Sequence, residues 1–521
     1  MKHMSTIFAL AASAILLASC AEQQPQAGIP AELRAIMEAN RAIALPPLHP
    51  DFESLIDSLF TQDFNPETAA RVAEVMYRQA IINPPHPGRF VTGGTRLYPF
   101  RHISHALLAE EIHYFFDLLR YLYVGYQYFG GDEVFLPVRD SMLERLAETR
   151  DPLPNHLFFI QILVPPLRAV ISDNHFAIQG QVLFAPSHGL YMCDAITLRR
   201  DGGAFVAEID GAAYKVIETT LRCGRVVDGV APTITREGEF AFMFGHFARV
   251  GDPGAREMEA LLESAATGER RSISMELRLL STPHPPPSSL PAGALVAGRE
   301  VGGVWVVENR RLFTFQGGFP YGDSFYQAGY EASGRPVVVI DIRGHGGGYI
   351  DAALPFLYAL AGRAPSSGAA FMAFSRDFPS ELAGLQPAPE PRQPGDLPLG
   401  WRSPIPFSAS ETIPNDTFVI VLTNNRVSSA GDLLVGYLRQ LENVLFVGTN
   451  THGNVIGGGM TDETYTRLPH SGLTVEFGSW LRLRPDLSQF EGVGFLPDLW
   501  VPPGEALERA LAFVERYGLN R

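Results

Sequence analysis

The sequence lacks the features that mark several functional classes. It contains three cysteines in 521 residues, with no CxxC pair and no HExxH motif, so neither a metal site nor a cofactor is predicted. It has no run of basic residues and no internal repeat. Its formal charge of -15 argues against a nucleic-acid partner, because phosphate binding requires a surface rich in lysine and arginine.

The composition is that of a globular protein. Hydrophobic residues make up 46% of the chain and charged residues 19%, which excludes a disordered protein. The length allows two or three domains.

The first twenty residues predict an export signal. Lys2 precedes an apolar run from Ile7 to Ala18, which is too short to span a bilayer permanently. The run ends in Leu17-Ala18-Ser19-Cys20, which resembles the bacterial lipobox. This resemblance implies cleavage before Cys20, lipidation of Cys20 and attachment to the cell envelope on its periplasmic side. Ala21 is not an aspartate, which favours the outer membrane. The alternative is a plain secretory signal with a chance cysteine.

The other two cysteines leave two alternatives open. Cys193 and Cys223 either pair as a disulfide in an oxidising periplasm or stay as two buried thiols. No histidine motif flanks them, so neither is a good catalytic candidate.

The pattern along the chain predicts three structured segments after the signal. Apolar residues recur at spacings of three and four in His105–Tyr123, whereas Phe205–Ile209 is typical of a strand followed by a turn. The β-rich module is either PDZ-like or a divergent β fold. The predicted boundaries are a signal peptide at 1–20, a helical N-terminal region at 21–156, the β-rich module at 157–290 and an α/β domain at 291–521.

Strand–helix–strand alternation predicts the α/β core of the last segment. The predicted strands are Val337–Ile342, Thr417–Leu422 and Val444–Val447, and the predicted helices are Asp351–Leu360 and Ala430–Leu441. An insertion rich in proline and glycine separates the first helix from the second strand, at about 363–415. It is either a lid over the site or a long surface loop, and the loop is favoured.

Two loops at the carboxyl ends of these strands carry candidate chemistry. Asp341–Gly348 contains a glycine run, which either forms a turn or lets backbone N–H groups converge as an oxyanion hole. Thr423–Asp432 carries Ser428 and Ser429 before a helix. A serine at this junction is either a helix N-cap or an exposed nucleophile near the positive helix end.

The motifs in combination resemble those of the S41 family of serine peptidases, which includes tail-specific proteases, the tricorn protease and retinoid-binding relatives. They occur in family order. The motifs are D-I-R-G-x-G-G-G within Ile340–Gly348, N-x-x-S-S-A-G-D within Val421–Asp432, F-V-G-T-x-T-x-G at Phe446–Gly453 and E-G-V-G-F-L-P-D at Glu491–Asp498.

The resemblance implies a ClpP/crotonase-like α/β catalytic domain and assigns roles to its loops. Asp432 stands where the family usually has glutamate, which places Ser429 at the nucleophile. The N–H groups of Ala430 and of Gly346 or Gly347 would then form the oxyanion hole.

One departure from the family pattern changes the expected base. Tail-specific enzymes carry a lysine where this chain has Asn454, and an asparagine cannot accept a proton from serine. Ser172–Phe176 resembles the D-x-H segment of the tricorn-like branch, in which an upstream histidine is the base. This resemblance implies His175 as base and Glu491 as the carboxylate on its side. His452, near the lost lysine position, and His345, in the glycine loop, are rival bases.

Three functions remain after these observations. The leading one is a lipid-anchored serine endopeptidase that acts on a protein or peptide through Ser429, His175 and Glu491. The second is a catalytically inactive S41-fold protein that binds a peptide or an apolar ligand. The third is an esterase, since His345–Gly348 mimics the HGGG motif of lipases, although no G-x-S-x-G follows it.

Overall fold

The structure of the 521-residue chain is a computed structural model. None of the helices in its described residues is long and apolar enough to cross a membrane. The predicted signal peptide and Cys20 lie outside the described residues, as does Cys223. The structure describes residues 28–44, 67, 71–72, 75, 100–123, 125–184, 187–221, 224–226, 229–280, 288–291, 294–312, 321–350, 353–363, 372–376, 401–405, 412–458, 465–478, 480–483 and 490–521.

The N-terminal part is helical, as predicted. The helix at 105–122 packs into its core, where Phe115, Leu118 and Leu119 are fully buried. The helical part extends beyond the predicted boundary at 157, because the apolar run there forms a π-helix at Phe158–Leu163. A short dense apolar run fits either helix or strand by pattern alone. The helices are α1 Ala31–Ala44, α2 His105–Leu122, α3 Gly131–Ala147, α4 Val164–Val170, α5 Tyr321–Ala332, α6 Ala353–Ala361, α7 Ala430–Leu438 and α8 Ala506–Tyr517, with a short helix at Asn155–Leu157 before the π-helix.

The middle part is mostly β, as predicted. Its main sheet, among the described residues, runs in the order β12-β11-β7-β6-β5-β10-β9, with β8 on β7 and β13 on β5. Cys193 in this sheet is a buried free thiol. The strands up to this point are β1 His102–Ile103, β2 Leu153–Pro154, β3 Ala177–Ile178, β4 Gln181–Val182, β5 His188–Asp201, β6 Ala204–Ile209, β7 Ala212–Leu221, β8 Gly224–Val226, β9 Val230–Ile234, β10 Phe240–Arg249, β11 Glu257–Ser264, β12 Arg270–Glu276 and β13 Arg278–Leu279.

The C-terminal part has the predicted α/β core. Its sheet has the order β14-β15-β16-β19-β20-β25, and all neighbours except β14 and β15 are parallel. The parallel strands are apolar and buried on both faces. The strands are β14 Val296–Val301, β15 Val304–Asn309, β16 Val337–Asp341, β17 Met372–Arg376, β18 Trp401–Ile405, β19 Phe418–Thr423, β20 Val444–Gly448, β21 Gly457–Gly458, β22 Tyr465–Arg467, β23 Thr474–Glu476, β24 Trp480–Leu483 and β25 Leu499–Trp500.

Two small sheets connect distant parts of the chain. The hairpin β3–β4, which follows His175, pairs with β23, so this hairpin belongs to a sheet with strands of the C-terminal part and not to the nine-stranded sheet of the module in which the sequence placed His175. The cause is a long-range pairing that local pattern does not encode. Within the insertion at 363–415, β17 and β18 pair with each other and β17 pairs with β24, so part of the predicted loop is strand.

Candidate active site

The candidate loops meet at one edge of the parallel sheet. Register pairs Asp341 of β16 with Leu422 of β19, and Thr423 of β19 with Gly448 of β20. Because parallel strands end at the same edge, the three loops that follow them are neighbours.

Ser429 stands at the junction between β19 and α7. Its φ of 56° and ψ of -117° lie in a region that L-residues rarely adopt. The serine is the residue before Ala430, where α7 begins, and its side chain makes no capping hydrogen bond. The hydroxyl is therefore available for another partner.

That partner is His175. Its Nε2 lies 3.0 Å from Ser429 Oγ, although 254 positions separate the two residues in the chain. The imidazole is 7% exposed. The structure therefore brings together the serine and the histidine that the sequence singled out, at the distance that proton transfer between them requires.

Glu491 is buried on the histidine side of the site. Its Oε1 accepts the backbone N–H of Asn174 at 2.7 Å, and its Oε2 accepts those of Val455 and Ile456 at 2.8 and 2.9 Å. Burial, and next the charge of Asp173, raise the pKa of Glu491 to about 8. The carboxyl thus fastens the backbone next to His175 to the loop after β20.

The glycine loop lies against Ser429. A Cβ on Gly347 would stand 3.1 Å from the Cβ of Ser429, and the φ of Gly347 is 107°, so only glycine fits here without strain. Gly346 is exposed. Ala430 is the first residue of α7, where backbone N–H groups have no partner inside the helix. Gly347 of the glycine loop and Ala430 of α7 therefore both lie next to Ser429.

His345 occupies a structural position under this loop. Burial lowers the pKa of its imidazole to about 4, so the ring is neutral at neutral pH. Its Nδ1 accepts the N–H of Gly347 at 3.2 Å, and its carbonyl accepts the N–H of Ser428 at 3.0 Å. These bonds join the glycine loop to the serine loop. The backbone N–H of His452, the other alternative base, donates to the carbonyl of Val427 at 2.7 Å.

Asn454, at the position of the family's lysine, makes a different contact. Its Nδ2 donates to Ser428 Oγ at 2.9 Å. Asp432 accepts the N–H groups of Gly453 and Asn454 at 3.1 and 3.0 Å. The carboxylate that replaces the family's glutamate thus fixes the loop after β20.

Sequence reasoning gave no role to two residues beside His175. Asp173 was visible in the D-x-H segment, and its Oδ1 lies 3.8 Å from His175 Nδ1. Tyr123, at the end of α2, donates its hydroxyl to Asp173 Oδ2 at 2.9 Å. No signal in the sequence connects Tyr123 to the site.

The described residues contain no cluster of three or more His, Cys, Asp or Glu side chains that could hold a metal ion.

Similar structures include mature CPAF (16% identity, 80% of this chain and 96% of that one, TM-score 0.37) and the photosystem II D1 C-terminal processing protease (16%, 78% and 97%, 0.34). The tricorn protease is similar over 80% of this chain and 37% of its own, at 14% identity and a TM-score of 0.34. A comparison with curated proteins gives no match.

The family comparison is specific for the part of the chain that holds the three loops. The model of peptidase family S41 matches residues 312–501, which include Ser429 and Glu491. Members of that family are serine-type hydrolases. Residues 312–501 of this chain are therefore similar to peptidase family S41.

Proposed function

We propose that the protein is a serine endopeptidase that hydrolyses peptide bonds through an acyl-enzyme. The observation that carries the proposal is the distance of 3.0 Å between Ser429 Oγ and His175 Nε2. A nucleophile and a base within hydrogen-bond reach are the minimum that acyl transfer requires.

Each group has one task in the reaction. The Ser429 hydroxyl gives its proton to His175 Nε2 while Oγ attacks the scissile carbonyl carbon. The imidazolium then protonates the leaving amine, and water hydrolyses the ester by the same route. Glu491 holds the histidine segment through the N–H of Asn174.

The negative charge of the tetrahedral intermediate is stabilised by backbone donors. Ala430 and Gly346 or Gly347 supply N–H groups on the two loops that flank Ser429. The Gly347 N–H donates to His345 Nδ1 in this structure, so its use requires a change of partner. The start of α7 also favours negative charge at this point.

We further propose attachment to the cell envelope through a lipidated Cys20, on the periplasmic face of the outer membrane. The support is the sequence Leu17-Ala18-Ser19-Cys20 after a short apolar run. Lipid chains at one cysteine would anchor the protein, since each buried methylene contributes roughly 0.8 kcal/mol.

The test compares two adjacent serines. Ser429→Ala is expected to abolish both peptide hydrolysis and labelling by a fluorophosphonate probe, because it removes the nucleophile. The matched control is Ser428→Ala, whose hydroxyl contacts Asn454, and it is expected to retain labelling. Labelling is read by intact-protein mass spectrometry and hydrolysis with a library of unstructured peptides. Full activity in Ser429→Ala would assign the nucleophile elsewhere, and a wild-type chain that is neither labelled nor active would favour a binding protein.

A further inference from the structure

Asp173 faces the side of the His175 ring opposite Ser429. Its side chain is 1% exposed. Oδ1 accepts the backbone N–H of His175 at 2.8 Å and lies 3.8 Å from the imidazole Nδ1. Because Nε2 of the same ring faces Ser429, the carboxylate, the imidazole and the hydroxyl follow one another in space.

The surroundings hold this carboxylate in place. Tyr123 donates its hydroxyl to Oδ2 at 2.9 Å, and its ring packs edge-on against Phe176 and Phe477 at centroid distances of 5.0 and 5.8 Å. Burial, and next the charge of Asp173, raise the pKa of Tyr123 well above its ordinary value, so the phenol stays a donor. A Cβ on Gly457 would stand 2.6 Å from Oδ1, so the carboxylate fits only against glycine.

The second buried carboxyl of the site is placed differently. Both oxygens of Glu491 accept backbone N–H groups, and the charge of Asp173 contributes to keeping Glu491 protonated. Two nearby carboxyls in a buried site do not both ionise readily. Of these two carboxyls, Asp173 is the one next to the imidazole.

We propose that Asp173 is the positioning carboxylate of His175, and that Glu491 acts on the backbone around it. The inference rests on the proposed peptidase function. Asp173 keeps the proton of the neutral ring on Nδ1, which leaves Nε2 free to accept the Ser429 proton. When that proton arrives, Asp173 stabilises the imidazolium and takes no proton itself. A shift of about 1 Å brings Oδ1 and Nδ1 to hydrogen-bond distance.

If Asp173 served only to shape the local turn, the effect of replacing it would differ. The bond from His175 N–H to Asp173 Oδ1 joins residues two apart and also occurs in ordinary turns. Asp173→Asn keeps an oxygen for this bond and removes only the charge, so a turn-forming residue would tolerate it.

The experiment compares Asp173→Asn with Glu491→Gln and the wild-type chain. We expect Asp173→Asn to lower kcat/KM on the order of 100-fold, with a thermal midpoint near that of wild type. The acidic limb of the variant's profile of kcat/KM against pH should move to lower pH. The reason is that a neutral amide, unlike the carboxylate, does not stabilise the imidazolium of His175. The titratable groups around the ring include Asp173, Tyr123 and Glu491, so Glu491→Gln is the variant for comparison and should leave the limb where it is. Activity of Asp173→Asn within about threefold of wild type, or a shifted limb in Glu491→Gln alone, would overturn the proposal.

A second readout does not depend on turnover. The His175 ring can be titrated by NMR in the wild-type chain and in Asp173→Asn, and the variant should titrate at lower pH. If wild-type protein is neither active nor labelled by fluorophosphonate, the peptidase proposal fails, whereas an unchanged titration rejects the role of Asp173.

Discussion

Ser429 adopts a backbone conformation that costs an ordinary residue roughly 1–3 kcal/mol. Neighbouring bonds impose it: the N–H of Ser428 donates to the carbonyl of His345, and the N–H of Leu433 donates to the carbonyl of Ser429. The sharp turn removes the hydroxyl from helix capping and points it at His175. The strained backbone at Ser429 is therefore part of what leaves its hydroxyl available to His175.

The raised pKa of Glu491 predicts that the stability of the fold depends on pH. Its pKa is raised to about 8 by burial and next by the charge of Asp173, from an ordinary value of 4.5. Between these values the unfolded chain loses a proton that the folded chain keeps. The free energy of unfolding should therefore fall as pH rises through this interval, by up to about 1.4 kcal/mol per pH unit.

The measurement is urea denaturation at a series of pH values. Glu491→Gln should flatten the fall, because the amide does not titrate. Glu269→Gln, at an exposed position, should keep the wild-type slope. A slope in Glu491→Gln equal to that of wild type would contradict the prediction.

At the scale of elements, the last family motif joins a strand to two helices. Asp498 is fully buried. Its Oδ1 accepts from Arg439, after α7, at 2.6 Å and from Asn40 of α1 at 2.9 Å, and its Oδ2 accepts the N–H of Phe446 in β20 at 2.6 Å. The aspartate that the sequence identified by resemblance thus lies at a structural junction.

Asp498→Asn is expected to destabilise the fold by roughly 3–5 kcal/mol, because it leaves the charge of Arg439 buried without its counter-ion. Urea denaturation measures the change. Arg270→Gln, which breaks the largely exposed pair with Glu263, should cost less than about 1 kcal/mol. Equal losses of stability in the two variants would show that the buried ion pair contributes no more than the exposed one.

At the scale of the whole molecule, α1 lies between the two large sheets. Leu33 and Met37 pack into the core beneath the parallel sheet, whereas Ile36 packs into the core of the nine-stranded sheet. Asn40 adds the bond to Asp498. The chain that leaves the proposed anchor therefore enters the fold at the α/β core.

Cys20→Ala tests the anchor. We expect the wild-type chain, expressed in a bacterium, to fractionate with the membranes and to incorporate a labelled fatty acid. The variant should lose the label and appear in a soluble fraction, because no acyl chain can be attached. Ser19→Ala keeps the cysteine and a small residue before it, and it should still be labelled. Membrane recovery of Cys20→Ala without label would point to a different attachment.

The sequence by itself determined the α/β core, the helical N-terminal part and the β-rich middle part, because each rests on periodicity within a short window. Motif order was enough to single out Ser429, and a resemblance was enough to single out His175. The tertiary structure alone brought Tyr123, at the end of α2, to Asp173, and the Glu491 carboxyl to the backbone N–H of Asn174. Such contacts join positions 50 to 317 residues apart, and no local pattern encodes them. For the same reason the sequence assigned His175 to the β-rich module, although the hairpin after it belongs to a sheet of the C-terminal part.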